Sequence, residues 1–367
     1  MPTITSLDAF DHWAASDRED EARVHEVDLT GRTEVLLQLA GRPHHRTAFL
    51  GCPMDSQAEN ELHKAGALVL SSAPELPFNP YRLDLYTSAE LLQGIEGMPY
   101  EQTPDARVRE WAHKVADTVG VHDGILKGLH DSAMTAALHR YAAGKRIVGI
   151  MGGHSLKRGT DGFAVAARLG RTLARHGFVV GTEGGPGAME AANLGAYLAD
   201  ADDHVLDSAL GRLAAIPDVE PSVTDWARSA FEVRDLHPAG ARSTASLGVA
   251  PWTNVYGEDP ANAFTTVMAK FLTRTLEDFG VLGLANAGLV FLPGAAGTVQ
   301  EIFEAAMPSY YTDGPIRPII LVGKEHWTTK LPAWALLSAL GEGRRLGGRI
   351  SLVDDVESAV ALLREAS

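Results

Sequence analysis

One cysteine, Cys52, stands in the whole chain of 367 residues. An internal disulfide is therefore excluded, and so is a metal site built from thiolates alone. Long apolar runs are also missing. The most apolar stretch, Gly280 to Pro293, is broken by Asn286 and falls short of the ~20 residues a membrane-spanning helix needs. Residues 1 to 10 lack the basic start and apolar middle of a secretory signal, so the expectation is a soluble, cytoplasmic protein with no membrane partner. Positive charge is scarce. Lys and Arg total 32 against 47 Asp and Glu, which leaves a net charge of −15. A surface of that sign repels a polyphosphate backbone, so a nucleic acid polymer is not an expected partner. A small anion is a different case, because backbone amides at a helix N-terminus hold it locally without net charge.

The composition that remains, 45% apolar and 22% charged, belongs to a globular protein with a real core and excludes disorder. Two domains are expected, 1–142 and 143–367. The first carries short apolar runs at Ala48 to Gly51 and Ala67 to Leu70, then a proline-rich connector from Pro74 to Pro80. Helical patterns follow over Pro104 to Val119 and Ile125 to Tyr141. This reads as a small α/β accessory domain with a linking helix, and the acidic stretch Asp17 to Glu21 reads as a solvated face or turn.

From Gly144 onward, strand and helix patterns alternate. Strands are expected at Lys145 to Gly153, Phe178 to Gly181, Ser246 to Trp252, Gly288 to Leu292, Arg317 to Val322 and Ile350 to Val353. Helices are expected at Gly162 to His176, Met189 to Leu198, Ala261 to Phe279, Val299 to Met307, Leu331 to Leu340 and Val356 to Arg364. Apolar strands alternating with amphipathic helices predict an α/β fold: a doubly wound, Rossmann-like parallel sheet covered on both faces. Such sheets bind ligands beyond the carboxyl ends of their strands.

Three glycine-rich loops fall at that edge. The first, Met151-Gly-Gly-His-Ser155, offers the amide of Gly153 together with His154 and the Ser155 hydroxyl. It is not the G-x-G-x-x-G dinucleotide fingerprint. The second, Gly181-Thr-Glu-Gly-Gly-Pro-Gly-Ala-Met-Glu190, frees the backbone at Gly184, Gly185 and Gly187, with Met189 and Glu190 in the following helical turn. Glu190 either complements that helix dipole or faces the ligand. The third, Leu292-Pro-Gly-Ala-Ala-Gly-Thr-Val-Gln-Glu301, opens at Gly294 to Gly297 before Thr298. Thr298 and Glu301 have the spacing of a capping box; alternatively, Glu301 projects into the cleft. The loop Trp252 to Asn262, with Tyr256, Glu258 and Asp259, either stacks on a ligand or merely connects strand to helix.

The second and third loops together resemble the Lonely Guy (LOG) family of cytokinin riboside 5′-monophosphate phosphoribohydrolases and the related bacterial nucleotide 5′-monophosphate nucleosidases, many of which carry a "lysine decarboxylase" label. The resemblance covers about residues 144 to 340 and rests on Glu183-Gly-Gly-Pro-Gly-Ala-Met-Glu190 and Pro293-Gly-Ala-Ala-Gly-Thr-Val-Gln-Glu301. It implies a Rossmann-like nucleotide-binding hydrolase that assembles as a dimer or tetramer. It also implies cleavage of a nucleoside 5′-monophosphate into ribose 5-phosphate and free base, with no cofactor and no metal. On that resemblance Gly294, Ala295, Ala296, Gly297 and Thr298 hold the phosphate, Gly184, Gly185 and Gly187 line the ribose side, and Glu301 is the catalytic glutamate. The family has a glycine where Ala295 stands. Its catalytic arginine precedes the third loop at a place where this chain has Glu277 and Asp278. Lys270 and Arg274 are the nearest cations, and Arg274 is the catalytic candidate.

N-glycosidic cleavage passes through an oxocarbenium-like transition state, so Glu301 is expected to stabilise that charge and to act as general base. His154 and His237 are further loop candidates for an acid. The competing expectation is a non-catalytic binding or carrier protein. Molybdenum-cofactor carriers, which have a similar fold, hold a phosphorylated pterin without cleaving it. Lysine decarboxylation would need pyridoxal phosphate on a lysine, and neither loop supplies one.

Overall fold

The computed structural model describes residues 2–16, 22–42, 47–116, 120–253, 260–273, 280–311, 314 and 316–366. The acidic stretch Asp17 to Glu21 lies outside them. The chain forms two compact units, Met1–Arg82 and Leu83–Ser367. The boundary therefore falls some sixty residues before the expected one at 142. The reason is physical: the helix Val121–Ala142, read as a linker, is tied into the second unit. Asp131 on that helix accepts the backbone amides of Leu272 and Thr273, each at 2.8 Å.

In the first unit four short strands, β1 (Thr3–Ile4), β2 (Arg23–His25), β3 (Ala48–Leu50) and β4 (Leu68–Leu70), lie side by side in chain order. Every pairing is parallel. Helices Leu7–Ala14, Thr33–Ala40 and Ser56–Lys64 make the crossovers. Ser6 and Asp55 cap two of them by accepting first-turn amides, as short polar side chains at that position do. Phe10, Val24, Leu36, Phe49 and Leu62 fill the core between sheet and helices.

The second unit holds seven strands: β5 (Ile147–Met151), β6 (Val179–Thr182), β7 (Ser246–Pro251), β8 (Val267–Phe271), β9 (Gly288–Phe291), β10 (Ile319–Val322) and β11 (Ile350–Val353). Their order is β11-β10-β9-β5-β6-β7-β8, and all neighbours run parallel. The strands β5, β6, β9 and β10 are buried along their whole length, which is why they read as unbroken apolar runs. This is the doubly wound, Rossmann-like sheet expected. The chain winds from β5 out to β8, then returns beside β5 and winds the other way through β9 to β11. The reversal leaves a crevice between β5 and β9, the place where such sheets accept ligands.

One element differs in kind. The segment Ala261 to Phe279, expected as a helix, contains β8, paired with β7 over five residues from Leu247–Val267 to Pro251–Phe271. Alanine, methionine, leucine and lysine give it helical propensity, but a free sheet edge and burial of Met268 to Phe271 override that weak local preference. Two further helices, Asp203–Leu213 and Val223–Leu236, occupy what read as an irregular segment. Among the described residues no helix is long and apolar enough to cross a membrane.

Candidate functional site

The loops after β5, β6 and β9 meet at the crevice and are sewn to one another. Gly153 donates its amide to the Pro293 carbonyl at 3.1 Å, and Ala188 donates to the Gly153 carbonyl at 3.1 Å. Gly187 sits between them with φ +74°, and a Cβ there would lie 2.4 Å from the carbonyl oxygens of both Gly153 and His154. Its glycine thus serves loop-on-loop packing. A buried polar network holds the second loop from behind. Thr182 Oγ1 donates to Asn193 Oδ1 at 2.6 Å, and Asn262 donates to that same oxygen and to the Gly185 carbonyl. Asn262 belongs to the loop read either as ligand-facing or as a connection, and it is spent on this scaffold.

A cavity of about 300 Å³ opens where the loops meet. Of the residues named from sequence, Gly153, His154, Ser155, Met189, Ala295, Ala296, Gly297, Thr298 and Glu301 line it. Ile150, Val249, Pro251 and Phe271 supply apolar wall. The helix Ala296–Tyr311 starts on this wall. Its first-turn amides have no intrahelical acceptor, which leaves hydrogen-bonding capacity to spare at the end of the helix that lines the cavity. The first bond of its ladder runs from Val299 to the Ala295 carbonyl at 3.0 Å. Thr298 therefore lies inside the first turn, not ahead of it, and cannot be the N-cap of a capping box. Of the two readings for Glu301, projection into the cleft is the one observed.

Other named residues lie elsewhere. Gly184 and Gly185 line a separate hollow of about 20 Å³ with Met268 and Lys270, while Gly187 and Gly294 belong to loop packing. Glu190 does not reach the cavity. It is fully buried and paired with Arg158, whose Nε lies 3.1 and 3.0 Å from its two oxygens. Arg158 is further held by Ser229 Oγ at 2.8 Å and the Trp226 carbonyl at 3.1 Å. A charge this deep must be paired, and sequence spacing gave no hint of a partner 32 positions upstream. Lys270 is on β8, not on a helix with Arg274. It is 1% exposed, 3.5 Å from Asp105 and 5.5 Å from the Trp252 ring centre. Trp252 is also buried, donating Nε1 to Asp105 at 2.8 Å, so it is not a free stacking face. Arg274, Glu277, Asp278, Tyr256, Glu258 and Asp259 lie outside the described residues.

Two cavity residues were missed as functional candidates. Glu183, at the end of β6, and Glu304, one turn beyond Glu301, bring their carboxyl groups to the same space. The signal for Glu304 was present: a glutamate at i+3 shares a helix face with the first. Burial pushes the Glu301 carboxyl up, and the negative charges of Glu183 and then Glu304 push it further, to about 9. Three acids crowded into one partly dry space resist full ionisation, and Glu301 is the one that retains its proton. At neutral pH it is a hydrogen-bond donor. His326, also unanticipated, lies 3.0 Å from the Gly294 carbonyl through Nε2. A carbonyl only accepts, so that nitrogen carries the proton and braces the third loop. Among the described residues no group of three or more His, Cys, Asp or Glu is arranged to hold a metal ion.

No protein-family model matches the chain, and no curated protein matches it. Similar solved structures include the Moco carrier protein of Chlamydomonas reinhardtii, at 19% identity and a TM-score of 0.37, covering 60% of this chain and 97% of that one. The molybdenum cofactor binding protein of Rippkaea orientalis is similar at 15% identity and a TM-score of 0.37, covering 61% of this chain and 98% of that one. The protein TM1055 is similar at 20% identity and a TM-score of 0.37, with coverage of 60% and 99%. Similarity at this level carries no inference about ligand or activity.

Proposed function

We propose that this chain is a LOG-like nucleoside 5′-monophosphate phosphoribohydrolase, cleaving the N-glycosidic bond to ribose 5-phosphate and free base. The observation that carries the reading is the pairing, in one cavity at the sheet's reversal point, of a helix N-terminus with three glutamates. Amides of Ala296 to Thr298 suit a phosphate, and the carboxyl groups of Glu301 and Glu304 stand one and two turns deeper, toward the sugar. The apolar wall around Phe271 and Met189 suits a base.

The raised pKa of Glu301 changes its expected role. A glutamic acid protonated at pH 7 is a poor general base and a good general acid. In the reaction its proton goes to the departing base as the C1′–N bond breaks. Glu183 and Glu304 carry negative charge toward the oxocarbenium-like sugar, and one of them takes the proton of the water that adds to C1′. Remote binding at the phosphate holds the sugar against this cluster. Arg274 remains the proposed cation, and a homo-oligomer the proposed assembly.

A second reading, a carrier that holds a phosphorylated nucleotide-like ligand uncleaved, draws support from the same proton, since a neutral Glu301 binds without activating water. Incubation with each nucleoside monophosphate, followed by chromatography for free base, separates the two. The hydrolase reading expects base release that falls by about 10²-fold or more in Glu301→Gln while nucleotide binding persists. Binding without any release in the unaltered protein selects the carrier.

A further inference from the structure

One wall of the main cavity is held by buried side chains that the reaction above does not use. β8 is the last strand of its sheet, so one side of it has no strand to bond. Other residues stand in for that strand. Tyr86 exchanges both backbone hydrogen bonds with Met268, at 2.9 and 2.7 Å. Further along, Asp131 takes over: one carboxyl oxygen accepts the Leu272 amide and the other the Thr273 amide, each at 2.8 Å. His130, fully buried, joins the two supports. Its Nε2 lies 2.9 Å from the Tyr86 hydroxyl and its Nδ1 3.0 Å from Asp131.

This clamp fixes a polarity. The Thr273 hydroxyl bonds the same Asp131 oxygen that accepts the Thr273 amide. With two backbone N–H groups donating to it, Asp131 acts as a carboxylate, which only accepts. The proton between Thr273 and Asp131 is therefore that of the hydroxyl, and what the hydroxyl keeps for other partners is its lone pairs. Thr273 lines the main cavity together with Phe271, two positions before it at the exit of β8. A ligand packed against Phe271 thus meets at its rim an oxygen that accepts and does not donate.

We propose that Thr273 selects the base: it accepts a hydrogen bond from an exocyclic amino group and disfavours a carbonyl at that place, with Asp131 as the positioning residue that sets its polarity. This selection rests on the nucleotide reading above and deepens it. An amino group at the rim gains a partner. A carbonyl there sets lone pairs against lone pairs and loses its water without gaining a donor. The chemistry read is the amino group and not the ring, so it applies to a purine and to a pyrimidine alike.

The test is calorimetric titration of the full chain with two matched pairs of nucleoside 5′-monophosphates, adenosine against inosine and cytidine against uridine. In each pair an amino group is exchanged for a carbonyl. The amino member is expected to bind about tenfold more tightly. Thr273→Val keeps the shape, removes the acceptor and should bring that ratio close to one, whereas Thr273→Ser should keep it. A threonine that only braced the strand would, on substitution, weaken both members alike and leave the ratio unchanged. Asp131→Ala frees the Thr273 hydroxyl to donate, so the ratio should again fall toward one; the two Thr273 variants decide the matter if this one fails to fold by circular dichroism. Equal affinity within each pair that binds, a preference for the carbonyl member, or a ratio untouched by Thr273→Val would overturn the proposal and leave the nucleotide reading standing. Failure of all four nucleotides to bind would overturn both.

Discussion

Replacing Glu301 by glutamine should stabilise the protein, and more so as pH rises. The folded chain holds the Glu301 proton up to about pH 9, because burial and the charges of Glu183 and Glu304 disfavour the carboxylate. The unfolded chain releases it near 4.5, the ordinary value. Where the folded state binds more protons than the unfolded one, stability falls with rising pH. This residue's contribution is therefore fully present below pH 4.5 and is lost progressively up to about pH 9. At about 1.4 kcal/mol per pH unit, the loss by pH 7 has a ceiling of roughly 3 kcal/mol. The side chain keeps some contact with solvent in the cavity, which reduces this to about 1–2 kcal/mol. Glutamine carries no such penalty in either state. The assay is the difference in Tm between Glu301→Gln and the parent from pH 4 to 8.5. At roughly 2–4 °C per kcal/mol for a unit of this size, the difference should grow from near zero at pH 4 to about 2–8 °C at pH 7 and keep growing to pH 8.5. A difference that is flat across the range, or that favours the parent as pH rises, would refute the reasoning.

The same proton governs rate. If Glu301 is the general acid, kcat with a nucleoside monophosphate should hold steady through neutral pH and fall as pH rises through about 9; a rise over that range would make it a base instead. Breaking the buried Arg158–Glu190 pair with Arg158→Met should cost about 3–5 kcal/mol in urea unfolding, and adding Glu190→Leu should restore part of it, since the penalty lies in the abandoned charge. Gly187→Ala combines a left-handed backbone with a Cβ 2.4 Å from two carbonyl oxygens. It should lower stability by about 2–4 kcal/mol and loosen nucleotide binding, measured by urea midpoint and by calorimetry.

How much of this was legible in the sequence follows from which forces are local. The strands β5, β6, β9 and β10 announce themselves because both sheet faces are covered and, Thr182 apart, no position carries a polar side chain. Their glycine-rich exits are equally visible, and so is Glu301, one turn into a helix that begins at the third loop. What stayed hidden depends on distant partners. β8 is a strand only because β7 offers it an edge, and Glu190 is structural only because Arg158 arrives from another loop. The unit boundary at Arg82 was obscured because a long helix resembles a linker until its buried contacts are known. Glu183 stood inside a quoted motif, but its position beside Glu301 follows from β6 lying next to β5, which no local pattern encodes.

Charge ties these observations together. A chain of net charge −15 that gathers three carboxyl groups in one cavity would repel an anionic ligand if all three were ionised. Retention of the Glu301 proton removes one of those charges and leaves a donor in its place. On the proposed reading, backbone amides at the start of Ala296–Tyr311 hold a phosphate without any counter-charge, several ångströms along the helix from the acids. For the proposed reaction the arrangement separates two demands that conflict at close range: neutral donors for the phosphate at the helix entrance, and negative charge for a developing cation one to two turns in. Moving either set by a turn would set phosphate against carboxylate, so the spacing from Ala296 to Glu304 is the feature on which the site depends.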